Sequence, residues 1–366
     1  MNNMNDELLR KESQKRKKKK NVVYIISIVF LSLITLSSLF VAYYSLKLYK
    51  DSLPENQNQG GNEVVIEKTY TQAEVDALLA ASEEDAKAEA IAQYRSDLKE
   101  TAEKSNGIAS ILRTMYPEYF VFYNKDHYDF IPIDENLPAR NFDNEQLYAA
   151  DGFIEYKKDG QTVSVKGIDV SKYQGNIDWE KVAASGVKYA MIRLGIRGYE
   201  TGKLVTDENF DANVQGALNA GIEVGVYFVT QATNDAEARE EAQYVLDAIK
   251  DYNITYPIAL DIEEVNKESS RTYNQSKDDR TQCAKTFMDY VKNAGYTPCV
   301  YGNLVTFARL LNVNDLGDYE KWLALYDSKI YFPYEITMWQ YSDKGSIDGI
   351  DGNVDVNITF PRNTEN

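Results

Sequence analysis

Asp261 and Glu263 stand two residues apart at the end of the apolar run Pro257-Ile258-Ala259-Leu260, and Asp169 closes a second run at Gly167-Ile168-Asp169. Side chains two apart on a strand share a face, so Asp261 and Glu263 would project together, about 6.6 Å apart at ~3.3 Å per residue. At that separation each carboxylate raises the other's pKa. One can then stay protonated as an acid while its partner stays charged. The same spacing equally suits two acids that cap a helix and do no chemistry.

What the chain lacks narrows the choice. Its single histidine, His127, falls in a turn far from these runs, and there are only two cysteines, Cys283 and Cys299. A Ser-His-Asp or Cys-His site in the C-terminal half is excluded, and so is zinc held by histidines. Two cysteines cannot form a structural zinc site alone, so neither metal nor cofactor is expected. The two thiols fit one disulfide or a pair of buried free cysteines. The acids and bases that remain are carboxylates and tyrosines, and the leading chemistry run by Asp and Glu alone is glycoside hydrolysis.

The elements that must position these carboxylates alternate. Apolar runs at Gly167–Val170, Tyr189–Leu194, Val224–Val229, Ile258–Ile262, Pro298–Tyr301 and Trp322–Tyr326 read as buried strands. Helical stretches lie between them at about Asp178–Ser185, Asp207–Ala220, Asp235–Tyr252 and Gln282–Ala294, and from Glu335 onward the pattern is strand-like. Short buried strands followed by helices predict an α/β fold with a parallel sheet. About 200 residues of this kind suit a closed barrel, whose acting residues lie where strands end at the C-terminal face. An open doubly wound sheet is the alternative. It is weakened by the want of a Gly-rich phosphate loop after any strand.

Ahead of this region the chain changes character several times. Residues 1–20 carry eight Lys/Arg against three acids, so the net charge of −17 hides a remainder at −22. A body that acidic repels nucleic acid. From Asn21 to Leu46 no residue is charged, and 26 residues at ~1.5 Å each exceed a ~30 Å hydrocarbon core. We expect 1–20 to be a cytoplasmic tail and 21–46 a membrane helix, with its orientation set by Lys15–Lys20 and Tyr43, Tyr44 and Tyr49 at the interface. The rest would then be extracytoplasmic. Residues 47–70 read as a linker. Thr71 with Glu74 is a capping box that opens a helical spacer over 71–115, breakable at Gly107. The spacer could pair in a dimer or fold back on its own domain. Residues 116–165 read as a small β-rich module, with strands around Asn124–His127 and a hairpin at Asp159-Gly160.

The stretch Gly167-Ile168-Asp169-Val170-Ser171-Lys172-Tyr173-Gln174-Gly175-Asn176-Ile177-Asp178-Trp179 resembles the opening signature of family 25 glycoside hydrolases, bacterial and phage lysozymes. Further family-like elements follow in order: Phe210 and Asn213, Gly225-Val226-Tyr227-Phe228, Ala259-Leu260-Asp261-Ile262-Glu263, Tyr301-Gly302, Trp322-Leu323-Ala324, Met338-Trp339-Gln340-Tyr341-Ser342 and Asn353-Val354-Asp355-Val356-Asn357. The likeness covers about 166–360. It implies a (β/α)5(β)3 TIM-like barrel and cleavage of the β-1,4 bond between N-acetylmuramic acid and N-acetylglucosamine in peptidoglycan. Carried over, Glu263 is the general acid/base, Asp261 the second carboxylate, and Asp169 and Asp355 complete the acidic cluster. Asp261 could orient the substrate's 2-acetamido group or activate a water.

Tyr227, Tyr301, Tyr326 and Trp339 sit near strand ends, where rings can stack on sugars or serve as core. Arg193 could meet a substrate oxygen or be tied to the acidic cluster, and Trp179, at a helix start, is assigned to packing. Two rivals stay open: a chitinase-like hydrolase, for which the acidic ladder ahead of Asp261 is missing, and a non-catalytic wall-binding scaffold.

Overall fold

The computed structural model describes residues 71–361 apart from 105, 106, 151 and 318. The tail, membrane helix and linker expected over 1–70 lie outside the described residues. Among the described residues no helix is long and apolar enough to cross a membrane. The chain divides into two compact units, Met1–Glu83 and Glu84–Asn366.

In the first unit the capping box forms as its residue types require. The Glu74 N–H donates to Thr71 Oγ1 at 3.3 Å, and the Thr71 N–H donates to Glu74 Oε2 at 2.8 Å. These bonds satisfy two donors that a helix start leaves unpaired. They open helix α1, Gln72–Lys104, whose residues after Glu83 belong to the second unit and whose side chains are exposed from 72 to 96.

In the second unit the helical run breaks at Gly107, whose φ of 149° suits glycine, and restarts as α2, Ile108–Met115. Two small antiparallel sheets follow. The first is the hairpin of β1, Tyr119–Asn124, and β2, His127–Pro132. The second joins β3, Leu147–Ala150, β4, Phe153–Lys158, and β5, Gln161–Thr162. Asp159 and Gly160 both have positive φ, 51° and 78°, as a tight hairpin turn demands. Phe120, Phe122, Phe142 and Tyr156 from these sheets and the loop between them belong to the same apolar cluster as the strands and helices that follow.

That larger body starts with β6, Val165–Val170, then α3, Trp179–Ala184, β7, Tyr189–Arg197, and the short β8, Leu204–Thr206, which pairs only with β7. Next come α4, Phe210–Asn219, β9, Glu223–Val229, α5, Asp235–Ile249, β10, Ile258–Asp261, α6, Lys277–Asn293, and β11, Pro298–Asn303. A π turn at Thr306–Leu310 and a 3-10 turn at Val313–Leu316 lead into β12, Glu320–Ala324, β13, Met338–Gly345, and β14, Val354–Thr359. Apart from β8, which is antiparallel to β7, neighbours from β6 to β13 pair in parallel, while β14 is antiparallel to both β13 and β6 and so closes the ring. The first five barrel strands are each followed by helical turns and the last three are not. This is the (β/α)5(β)3 arrangement, not the open sheet.

Strand alternation sorts the side chains into two layers. Ile168, Ile192, Val226, Leu260, Val300, Leu323, Trp339 and Val356 point away from the barrel's interior and form the outer core. Tyr189, Met191, Ala259, Cys299, Trp322 and Met338 fill the barrel's interior. Gly167 must be glycine here, because a Cβ would sit 2.1 Å from the Tyr189 ring. Trp179 is packing, as expected, with 6% of its surface exposed. Cys283 and Cys299 are buried free thiols in different clusters, which resolves the alternatives left by sequence.

Candidate active site

The inward positions where the parallel strands end and antiparallel β14 begins converge on a cavity of about 230 Å³. Its lining includes Asp169 from β6, Arg193 from β7, Tyr227 from β9, Asp261 from β10, Tyr301 from β11, Gln340 from β13 and Asp355 from β14. Parity explains the set: Asp261 follows the interior Ala259 by two positions, as Gln340 follows Met338 and Tyr301 follows Cys299. Strand β10 ends at Asp261, and Glu263 lies just past it, yet both line the same cavity.

Asp169 is 5% exposed, and its Oδ2 accepts hydrogen bonds from Gln340 Nε2 at 2.7 Å and Asn357 Nδ2 at 2.8 Å. Burial, followed by the nearby charge of Asp355, drives its pKa well above the usual carboxylate range. Asp355 is pushed up to about 6 by burial, opposed by a hydrogen bond from Asp169. Both carboxyls therefore stay protonated to higher pH than free ones.

Asp261 is equally buried at 5%, and its Oδ1 has no hydrogen-bond partner among the described residues. Burial and then the charges of Glu263 and Asp169 raise its pKa well above the ordinary value, with Arg193 opposing. Glu263 is exposed at the mouth, yet enough protein surrounds its carboxyl that lost hydration raises its pKa too. The pair thus retains a proton above the pH where isolated carboxyls lose theirs.

Gln340 joins the carboxylates to the tyrosines. Its Oε1 accepts from the Tyr301 and Tyr326 hydroxyls, each at 2.9 Å, while its amide nitrogen donates to Asp169. Tyr326 is 54% exposed, so its ring is open to a ligand. Tyr227 and Tyr301 stand edge-on to Trp322, at 6.1 and 4.5 Å between centroids. Trp322 forms the floor, and its indole N–H donates to Asn357 Oδ1 at 2.8 Å.

One expected binding residue needs correction, and Arg193 takes the second of its two expected roles. Trp339 is fully buried, and its indole N–H donates to the Leu325 carbonyl at 2.8 Å, with its ring in the outer core. Because Gln340 faces inward, its neighbour must face outward. Arg193 does line the cavity, but its Nε and Nη2 are both bound to Asp207 Oδ2, at 2.7 and 2.6 Å. It acts on the acidic cluster through its charge.

Gln340, Asn357, Trp322 and Asp207 were not singled out as site residues from sequence. Asn357 stands two residues after Asp355 and Gln340 two after Met338, so the alternation that places the acids could have found them. Asp207 lies in a loop, and no periodic signal marks it.

With this geometry in view, residues 168–350 match the family model described as glycosyl hydrolases family 25. The chain belongs to glycosyl hydrolase family 25. Asp355 and Asn357 lie just beyond the matched stretch, as does everything before Ile168. The chain is 32% identical over 193 residues to an autolytic lysozyme of Clostridium acetobutylicum, covering 52% of this chain and 55% of that protein. To lysozyme M1 of Streptomyces globisporus it is 30% identical over 212 residues, covering 54% and 68%. Among solved structures, the modular autolysin LytC of Streptococcus pneumoniae bound to a synthetic peptidoglycan ligand aligns with a TM-score of 0.50 and 27% identity, over 58% of this chain and 52% of that one. The chain thus spans about half the length of the first of these relatives.

Proposed function

We propose that this family 25 protein is a peptidoglycan hydrolase that cleaves the β-1,4 bond from N-acetylmuramic acid to N-acetylglucosamine. The observation that carries the reading is the convergence of Asp169, Asp261, Glu263 and Asp355 on one aromatic-walled cavity, with every one of the four pKa values raised. Glu263, at the mouth, gives its proton to the glycosidic oxygen as the bond to the anomeric carbon breaks. The positive charge at that carbon is met either by the substrate's own acetamido oxygen, oriented by Asp261, or by a water that Asp261 deprotonates. Either way one water is consumed, its hydroxyl ending on the anomeric carbon and its second proton returning to a carboxylate. Asp169 and Asp355 hold the second layer of charge in place.

Mass analysis of digested peptidoglycan tests this. Fragments ending in reducing N-acetylmuramic acid are expected. Fragments ending in reducing N-acetylglucosamine would point to the other glycosidic bond, and intact glycan that remains bound would point to a scaffold.

The same reading places the barrel at the outer face of a membrane, supported by the cationic cluster Lys15–Lys20 ahead of the uncharged run 21–46. Residues 71–115 then serve as a spacer. Pairing of two spacers is the weaker part, because a heptad seam begun at Val75 and Leu78 continues through Ser82, Asp85 and Glu89, which are not apolar.

A further inference from the structure

The β1–β2 hairpin lies outside the stretch that matches the family, yet it stands over the barrel mouth. A second cavity of about 320 Å³ shares Glu263, Tyr301 and Tyr326 with the acidic one, and its outer wall is Phe122 and Tyr123 of β1. Tyr123 is 58% exposed and Tyr326 54%, so two open rings face one groove.

The hairpin is fixed in this position by several independent contacts. Phe120 of β1 meets Phe332 edge-on at 5.6 Å between centroids. Asp129, buried in β2, binds the Arg309 guanidinium through both oxygens and accepts from Asn124 Nδ2 at 2.9 Å. Burial alone would raise the Asp129 carboxyl, but Arg309 and Asn124 outweigh it and hold its pKa below the usual range. At the hairpin tip Lys125 Nζ reaches Glu264 Oε2 at 3.0 Å, which ties the turn to the residue next to Glu263. A segment anchored this way can carry a preformed binding wall.

We propose that the hairpin and the barrel mouth together form an added subsite for an uncharged N-acetylhexosamine unit of the glycan strand, continuous with the sugars at the acidic cluster. This rests on the hydrolase reading above. Continuity with that cluster argues for the same strand as occupant. The lining carries no cationic side chain, and its one charged group is Glu263, so a carboxylate-bearing peptide stem finds no partner there. Open tyrosine rings suit the apolar face of a pyranose. The subsite should therefore favour longer glycan chains.

The test compares kcat/KM on peptide-free peptidoglycan tetrasaccharide and octasaccharide for the wild-type full chain, Tyr123→Ala and Tyr123→Phe. Tyr123→Ala should reduce the octasaccharide-to-tetrasaccharide ratio about fivefold or more, through KM, and Tyr123→Phe should restore it. A ratio unchanged in a folded Tyr123→Ala protein overturns the subsite. If the wild type cleaves neither saccharide, the hydrolase reading fails by itself. Titration of the octasaccharide into wild type and Tyr123→Ala then decides the subsite, and equal affinities overturn it.

Discussion

Asp169 and Asp355 face each other directly in the antiparallel register that closes the barrel, and burial raises the pKa of both carboxyls. The strand that seals the fold is therefore also the strand that sets the charge of its mouth. β14 brings Asp355 to Asp169 and, two residues on, Asn357 to the same Asp169 side chain.

That pairing has a cost that varies with pH. A carboxyl whose folded pKa lies above its unfolded value contributes stability that is complete below the unfolded pKa and is lost as pH rises through the folded one. For Asp355 the window runs from 3.8 to about 6. Melting temperatures followed across that window should fall with rising pH in the wild type and fall less in Asp355→Asn. Parallel pH profiles for the two proteins would mean that the fold does not raise the Asp355 pKa.

Glu263→Gln should keep the fold, because the side chain sits at the exposed mouth and anchors nothing in the core. Turnover on peptidoglycan should drop at least ~100-fold, the lower scale of general acid/base catalysis, while glycan binding persists. Near-normal turnover in a folded Glu263→Gln protein would remove Glu263 as the acid.

Trp339 and Tyr326 should part company under mutation. Trp339→Phe loses the bond to the Leu325 carbonyl and part of a filled volume, so it should lower the melting temperature with KM unchanged. Tyr326→Ala removes an exposed ring from the mouth, so it should raise KM roughly 2- to 10-fold, the scale of one aromatic contact, with little change in melting temperature. A rise in KM for Trp339→Phe would return that ring to the binding site.

The difference between these two rings shows what the sequence makes legible. Strand ends were readable from apolar runs, and parity on β10 puts Asp261 in the barrel, while Glu263 reaches the same cavity from just past the strand's end. The Trp339 expectation used nearness to a strand end without its parity, and so took the wrong face of β13. Arg193 was readable as a residue near the acidic cluster, but its ion pair was not, because Asp207 reaches it from a loop through tertiary structure alone. The hairpin β1–β2 was readable as two strands around a turn. Its place over the mouth was not, since the ion pairs that hold it join residues 139 and 180 positions apart.

Topology gives a prediction independent of the site. With 1–20 cytoplasmic and the barrel outside, protease added to intact, wall-stripped cells should remove the barrel and spare a tag at the N-terminus. Loss of the tag with survival of the barrel would reverse the orientation. Loss of neither, with the protein in the soluble fraction, would remove the anchor.

The two carboxylates that share the mouth differ most in what could replace them. If Asp261 serves the substrate's acetamido group, Asp261→Asn can still hydrogen-bond that amide but cannot stabilise the oxazolinium cation forming beside it. Added azide should then fail to restore turnover, since no protein nucleophile or base is missing. If Asp261 instead deprotonates water on the far face of the sugar, azide can attack in that water's place and yield the inverted glycosyl azide. Asp261 lines the same cavity as Glu263, and its buried Oδ1 has no hydrogen-bond partner among the described residues. The first route asks the Asp261 carboxyl to take the acetamido N–H, which turns the acetamido oxygen toward the anomeric carbon, and the 2-acetamido group of the proposed substrate favours it. The expected outcome is therefore an Asp261→Asn protein that azide does not rescue, read by product analysis, and an inverted glycosyl azide would overturn it.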